Sequence, residues 1–300
     1  MLNIQPELKL AISKNEPVVA LETALLSLGL PFPDNVEVFN AMSEAVRAAG
    51  ALPAGIAVHD GRVHVGLDAA IIDHFARATT IKKCARRDLG WILGGGHSGA
   101  TTVSSTLYLA HCAGITVFAT GGIGGVHPAH DGPPDISADI ATMSQIPALV
   151  VSTGTKSICD AAATAELLEA FSVPVIGLGT DRFPHFYAGP SKVPIPRIDS
   201  PADAARAYRA HREIGLTSTL LVANPAPEEH RLDPVLLARM TNEGTTTAAR
   251  EGITGNALTP YLLAHLAQRT KNKSVIANRA LLIHNAATAA AIAVELASKR

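Results

Sequence analysis

The 300-residue sequence is poor in several features that mark large classes of protein. Aromatic residues are 4% of it, too few for the platforms on which nucleic-acid bases stack. Charged residues are 17%, and 25 basic against 26 acidic side chains leave a formal charge of −1. A chain so neutral has no global field to hold a phosphate polymer, which argues against nucleic acid as a partner. The three cysteines, Cys84, Cys112 and Cys159, are far apart and odd in number. That fits reduced thiols rather than a disulfide framework or a zinc site. Apolar stretches are interrupted within about a dozen residues by Gly, Pro, His or a charge, so no membrane span is expected. Near the N-terminus stand Glu7, Lys9, Lys14 and Glu16 instead of an apolar signal core. A cytoplasmic protein is the expectation.

What the sequence does have is apolar mass, 47% of its residues, enough for a large core. Short β-branched runs alternate with Ala-rich helical stretches. The strand candidates are 17–21, 54–59, 62–65, 90–93, 115–120, 148–152, 173–178 and 218–222. The helix candidates are 36–49, 69–78, 101–113, 157–171, 201–214, 234–251, 260–268 and 273–298. Most strand runs are apolar at both parities, as in strands covered on both faces. The alternation predicts an α/β layered fold around a largely parallel sheet. Asp60-Gly61 between two such runs is a hairpin signal, so the sheet is expected to be mixed. No linker, charge block or repeat divides the sequence, and one domain over 1–300 is expected.

In open α/β folds ligands bind at the carboxyl ends of strands. Val18–Leu21 delivers Glu22, whose carboxylate is a candidate general acid or a helix cap. Lys82, Lys83, Arg86 and Arg87 are either a phosphate-binding cluster or a solvated turn. Gly94, Gly96 and Gly99 formally satisfy a dinucleotide fingerprint, yet positions 100–130 hold no Asp or Glu to take a ribose. A phosphate-cradling loop is the better reading. Gly121, Gly122, Gly124 and Gly125 suggest an anion nest with positive-φ geometry. His127, His130 and Asp131 follow, then Asp135 and Asp139, which would share a helical face and suit a hard cation. Lys156 stands at a strand-to-helix switch, placed either as a desolvated nucleophile or to reach solvent. Cys112 and Cys159 read as thiols in helix interiors, and Trp91 as core.

Together these residues carry a resemblance. The ordered blocks VALETALLSLGLPFPDN, IAVHDGRVHVGL, KKCARRDL, GATTVSST, GITVFATGGIGGVH, DISADI, STGTKSI, VANPAPEE, GITGNALTPYLL and HNAA run from about Val18 to Asn285. The sequence resembles the pseudouridine-5′-phosphate glycosidase family, which includes indigoidine synthase A-like proteins. The resemblance implies an α/β/α fold, a homotrimer, and a metal-dependent enzyme. Its reaction would be the reversible cleavage of the C–C glycosidic bond of pseudouridine 5′-phosphate to uracil and ribose 5-phosphate. Carried over by motif, Glu22 corresponds to the proton donor and Lys156 to the nucleophile. Lys83, Val103 and the segment Ser137, Ala138 and Asp139 correspond to substrate-binding positions, and Asp135 to the ligand of Mn²⁺ or another divalent cation such as Mg²⁺. Four positions that are usually basic in the family hold His97, Pro128, Ala188-Gly189 and Asn256 instead. Two other readings follow: a synthase joining ribose 5-phosphate to an aromatic aglycone, and a non-catalytic module that binds a phosphate or nucleotide.

Overall fold

Strands that are apolar on both faces need cover on both sides, and the chain supplies it with helices. The computed structural model describes residues 2–127, 135–253 and 258–298. The first strands are β1 (Leu2–Ile4), β2 (Val18–Glu22), β3 (Leu52–His59), β4 (Arg62–Val65), β5 (Lys82–Cys84) and β6 (Gly99–Thr101). After them come β7 (Val117–Ala119), β8 (Leu149–Ser152), β9 (Val175–Leu178), β10 (Arg182–Pro184), β11 (Pro190–Pro194), β12 (Arg197–Ile198) and β13 (Leu220–Ala223). The helices begin with α1 (Pro6–Ser13), α2 (Asp34–Ala48), α3 (Ala69–Arg77), α4 (Leu89–Gly94), α5 (Val103–Ala113) and α6 (Ala138–Met143). They continue with α7 (Ala161–Ala170), α8 (Pro201–Glu213), α9 (Pro234–Arg250), α10 (Leu258–Arg269) and α11 (Lys273–Ala297).

The main sheet runs β1-β4-β3-β2-β7-β8-β13-β9-β12, with β6 attached to β3 and β5 to β6. From β3 to β12 along that path every neighbour is parallel. The antiparallel exceptions are β3 with β4 and β3 with β6, and a separate ribbon of β10 with β11. Side chains alternate between two cores. Val19 and Leu21 of β2 join Val117, Leu149 and Val222 beneath α2, α8 and α11. Val18 and Ala20 face the other way, with Phe118, Val150 and Leu221, against α1, α5, α6 and α7. The result is a three-layer α/β/α arrangement with a largely parallel, mixed sheet.

The Asp60-Gly61 turn joins β3 to β4 as its sequence requires, with φ +47° and +69° at its two central residues. Positive φ at both positions is the geometry that Asp-Gly tolerates and most pairs do not. The run 90–93, read as a strand, is instead the core of α4. Four apolar residues do not distinguish one helical turn from a short strand. Trp91 on that turn is 49% exposed rather than core. Cys112 is exposed on α5, and Cys159, though buried, precedes α7 rather than lying in a helix interior. By length and apolar composition alone, α11 could cross a membrane, which the sequence reading did not allow for. Here it packs against α2 and α8 and buries Leu281, Asn285, Ala289 and Ile292.

Candidate active site

Three parallel strands, β2, β7 and β8, end side by side, and the residues that follow them build one pocket. Glu22 is the last residue of β2. Thr120, one residue beyond β7, donates its hydroxyl to Glu22 Oε1 at 2.5 Å. Burial pushes the Glu22 carboxyl above its ordinary value, and Asp139 adds to the shift. The charges of Lys156 and Lys83 and the Thr120 hydrogen bond oppose it without cancelling it.

Lys156 lies in the segment between β8 and α7. Its N–H donates to the carbonyl of Ile123 at 3.0 Å, and the N–H of Ile123 donates to the carbonyl of Gly154 at 3.0 Å. Gly154 has φ +64°, and the carbonyl of Pro184 occupies the space a Cβ would need. Only glycine fits that backbone, which fixes the segment carrying the lysine. Lys83 comes from β5, at the centre of a strand too short and polar to be read from sequence. Burial and the neighbouring Lys156 charge hold its ammonium below the usual lysine range, with Arg87 contributing, against the opposing carboxylates of Asp139 and Asp135. Glu22, Lys83, Lys156 and Thr102 line a single pocket whose apolar wall includes Leu28, Phe186 and Leu263.

Asp139 joins three pieces of backbone beside the pocket. Its Oδ1 accepts from the N–H of Ser104 at 3.0 Å and its Oδ2 from the N–H of Gly124 at 2.8 Å. Ser137 is the cap of α6, its hydroxyl accepting from the N–H of Asp139 at 3.2 Å, and Ala138 begins the helix. Val103 is the first residue of α5, with a buried side chain and no hydrogen-bond partner for its N–H among the described residues. Asp135 is exposed and lies before the cap, so it does not share a helical face with Asp139 as the spacing had suggested. Its carbonyl accepts from the N–H of His127 at 2.9 Å. Burial holds the His127 imidazole below its ordinary value, with the charges of Lys156 and Lys83 contributing and Asp135 opposing. His130, Asp131, Pro128 and Asn256 lie outside the described residues.

Both glycine loops make close packing contacts with neighbouring elements. None of Gly121, Gly122, Gly124 and Gly125 has positive φ. A Cβ at Gly122 would stand 2.9 Å from the Phe186 ring, and one at Gly125 2.8 Å from Thr155 Oγ1. The N–H of Gly124 goes to Asp139 and that of Val126 to Thr164 Oγ1 at 3.0 Å. These glycines let neighbouring side chains approach the backbone closely. The loop at Gly94–Gly99 receives the tip of the β3–β4 hairpin: the N–H of Gly61 donates to the carbonyl of His97 at 3.0 Å, and Ser98 bonds Asp60. The basic cluster is likewise divided. Arg86 donates to Gln145 at 2.7 Å and lies over Tyr108. Lys82 is exposed near Trp91. Of the four cations Lys83 alone lines the pocket.

Sequence comparison places this geometry. The sequence profile described as indigoidine synthase A like protein matches residues 7–295. The chain belongs to the indigoidine synthase A-like family. A pseudouridine-5′-phosphate glycosidase of Herpetosiphon aurantiacus is 45% identical over 296 residues, 98% of each chain. One from Paracoccus denitrificans is 42% identical over 301 residues, 99% of each. Among solved structures, a prealnumycin C-glycosynthase in complex with ribulose 5-phosphate superposes with a TM-score of 0.91 at 38% identity, covering 99% of this chain and 97% of that one. An indigoidine synthase A-like protein of Thermotoga maritima gives the same TM-score and coverage at 33% identity.

Within this indigoidine synthase A-like chain the residues given roles by motif converge, and others join them that lie in the matching blocks but were assigned no role. Thr120 holds Glu22, His127 lies among the charges of Lys83, Lys156 and Asp135, and Asn285 of α11 bonds the carbonyl of Thr120 at 2.8 Å. An amide inside an alanine-rich apolar helical pattern was the available signal for Asn285, which is fully buried. Among the described residues no group of three His, Cys, Asp or Glu side chains is placed to hold a metal ion. Asp139 has both oxygens committed to backbone amides, which leaves the exposed Asp135. A single free carboxylate fits a hydrated hard cation rather than an all-protein cage.

Proposed function

We propose that this protein is a pseudouridine-5′-phosphate glycosidase, cleaving the C–C glycosidic bond reversibly to give uracil and ribose 5-phosphate. One observation carries this reading. Among the described residues lining the pocket, the ionisable groups are one carboxyl with a raised pKa, Glu22, and two amines, Lys83 and Lys156. Ordinary glycosidases use two carboxyl groups and expel an oxygen or nitrogen leaving group. A carbon leaving group needs an electron sink at C1′, and an amine that becomes an imine provides one. The two relatives described above, at 45% and 42% identity, carry the same activity in their names.

Glu22, whose pKa burial raises, donates its proton to the ring oxygen as the C1′–O4′ bond opens. The Lys156 amine adds to C1′. The added nitrogen loses a proton, the C1′–C5 bond breaks with its electron pair leaving on uracil C5, C5 takes up that proton, and the nitrogen lone pair forms the C1′ imine. Water hydrolyses the imine, releasing ribose 5-phosphate and the free lysine. Lys83, the Val103 amide at the start of α5 and the Ser137–Asp139 turn bind the substrate. Asp135 would hold Mn²⁺ or Mg²⁺ through a hydrated site. The ion supplies positive charge that offsets the phosphate. The enzyme would be a cytoplasmic homotrimer.

The test is uracil release from pseudouridine 5′-phosphate. Glu22→Gln and Lys156→Ala should each lower kcat by about 10³-fold, as loss of an acid or nucleophile does. Full activity in either variant rules out the assignment. A second reading, synthesis of a C-riboside on an aromatic aglycone, draws on the apolar wall of Leu28, Phe186 and Leu263 and on the C-glycosynthase neighbour. Product formation from ribose 5-phosphate with phenolic acceptors, but not with uracil, would establish it in place of the first.

A further inference from the structure

One buried amide ties the Glu22 side of the pocket to the Lys156 side. Asn285 is fully buried on α11. Its Nδ2 donates to the carbonyl of Thr120 at 2.8 Å and to the hydroxyl oxygen of Thr153 at 2.9 Å, with a longer contact to the carbonyl of Gly121 at 3.3 Å. Its Oδ1 accepts from Asn224 Nδ2 at 2.9 Å. Asn224 is held in turn, its N–H donating to the carbonyl of Ser152 at 2.8 Å. Thr120 and Thr153 each stand one residue past a strand, β7 and β8, and the N–H of Thr153 donates to the carbonyl of Gly121 at 2.9 Å. Thr120 passes the constraint to Glu22 through its hydroxyl. Thr153 opens the segment that carries Lys156.

An apolar residue at 285 would pack in an alanine-rich helix without the desolvation that a buried amide incurs. What the amide adds is direction, since a satisfied buried polar network holds its members in one geometry. The effect on Glu22 is specific. Its Oε1 is taken by Thr120, while its Oε2 has no hydrogen-bond partner among the described residues. We propose that Asn285 and Thr120 are positioning residues: Asn285 fixes Thr120, and Thr120 holds one Glu22 oxygen so that the other meets the substrate. This rests on the reading of Glu22 as proton donor.

The charged groups that act on Glu22 are Lys156, Lys83 and Asp139, and Thr120 is its hydrogen-bond donor. A hydroxyl donating to a carboxylate favours the ionised form, so its removal raises the Glu22 pKa further. Thr120→Val keeps the buried shape and removes the donor, and Thr120→Ser restores it. In Thr120→Val the alkaline limb of the pH–rate profile, where the proton donor ionises, should move up by about one pH unit. Its kcat should fall about tenfold with KM within about twofold, the pattern of a group that acts on the transition state. Thr120→Ser should keep the wild-type limb. Asn285→Ala should lower kcat to a similar degree, and combining it with Thr120→Val should add little, because the two act as one unit. An unmoved limb and unchanged kcat in folded Thr120→Val overturn the proposal, whatever Asn285→Ala does to folding. Glu22→Gln separates the two levels. If it stays active, both the proton-donor reading and this proposal fail; if it is inactive while Thr120→Val keeps its limb, only the positioning proposal fails.

Discussion

Folding biases Glu22 toward its protonated form. Its carboxyl is raised from the ordinary 4.5 chiefly by burial, so the folded chain binds a proton there over a pH range in which the unfolded chain has released it. Stability contributed at this site is therefore complete below about pH 4.5 and is lost as pH rises through the folded pKa. Glu22→Gln cannot ionise and should escape that loss. At pH 7 it should melt about 2 °C or more above the wild type, and the difference should vanish near pH 4. Thermal melts at the two pH values check this, and a variant less stable at both contradicts it. Glu22 and Lys156, which line one pocket, were legible as candidates because each follows a short apolar strand: Glu22 after Val18–Leu21, Lys156 after the run ending at Ser152. Thr120 and Asn285 were not. Their roles depend on contacts between residues 98 and 165 positions apart, which no local pattern encodes.

At the scale of elements, the glycine loop after β7 is a packing joint. Its four glycines were read as an anion nest because close backbone approach and anion binding call for the same residue, and sequence alone does not separate the two. The structure puts Ser137 and Asp139 against Gly124, Thr155 and Thr164 against Gly125, and Phe186 against Gly122. Gly124→Ala would place a Cβ on the Ser137 side chain and 2.9 Å from Asp139 Oδ2. Overpacking of that kind costs about 1–3 kcal/mol. The variant should lose that much in denaturant unfolding and lose activity as Asp139 shifts. Unchanged unfolding would show the loop to be looser than described. The turn of the β3–β4 hairpin was legible to the residue, since Asp60-Gly61 dictates its own backbone. Three-residue β5 and β6 were not, because KKC and GAT pair through partners distant in sequence and carry no apolar period of their own.

The whole molecule follows from the sheet. Parallel order brings the ends of β2, β7 and β8 to one edge, and the antiparallel β3 and β6 carry β5 and Lys83 round to the same place. The alternation of strand and helix patterns made this layering readable. The strand order was not readable, because it depends on which crossovers pack. On this frame the exposed Asp135 carboxylate stands among the charges around Lys83 and His127, where the proposed hydrated cation would sit. Chelation should therefore lower the activity of the folded protein at least tenfold, and Mn²⁺ should restore it in wild type but not in Asp135→Asn. Activity indifferent to chelation would remove the metal from the account.

The proposed mechanism turns on an imine between Lys156 and the sugar. The protein is incubated with ribose 5-phosphate and Mn²⁺, reduced with borohydride, weighed intact and mapped by peptide. One ribose-phosphate adduct per chain is expected, on Lys156, and none in Lys156→Ala. A folded, metal-loaded protein that takes up no adduct, or takes it up on Lys83 instead, would contradict it.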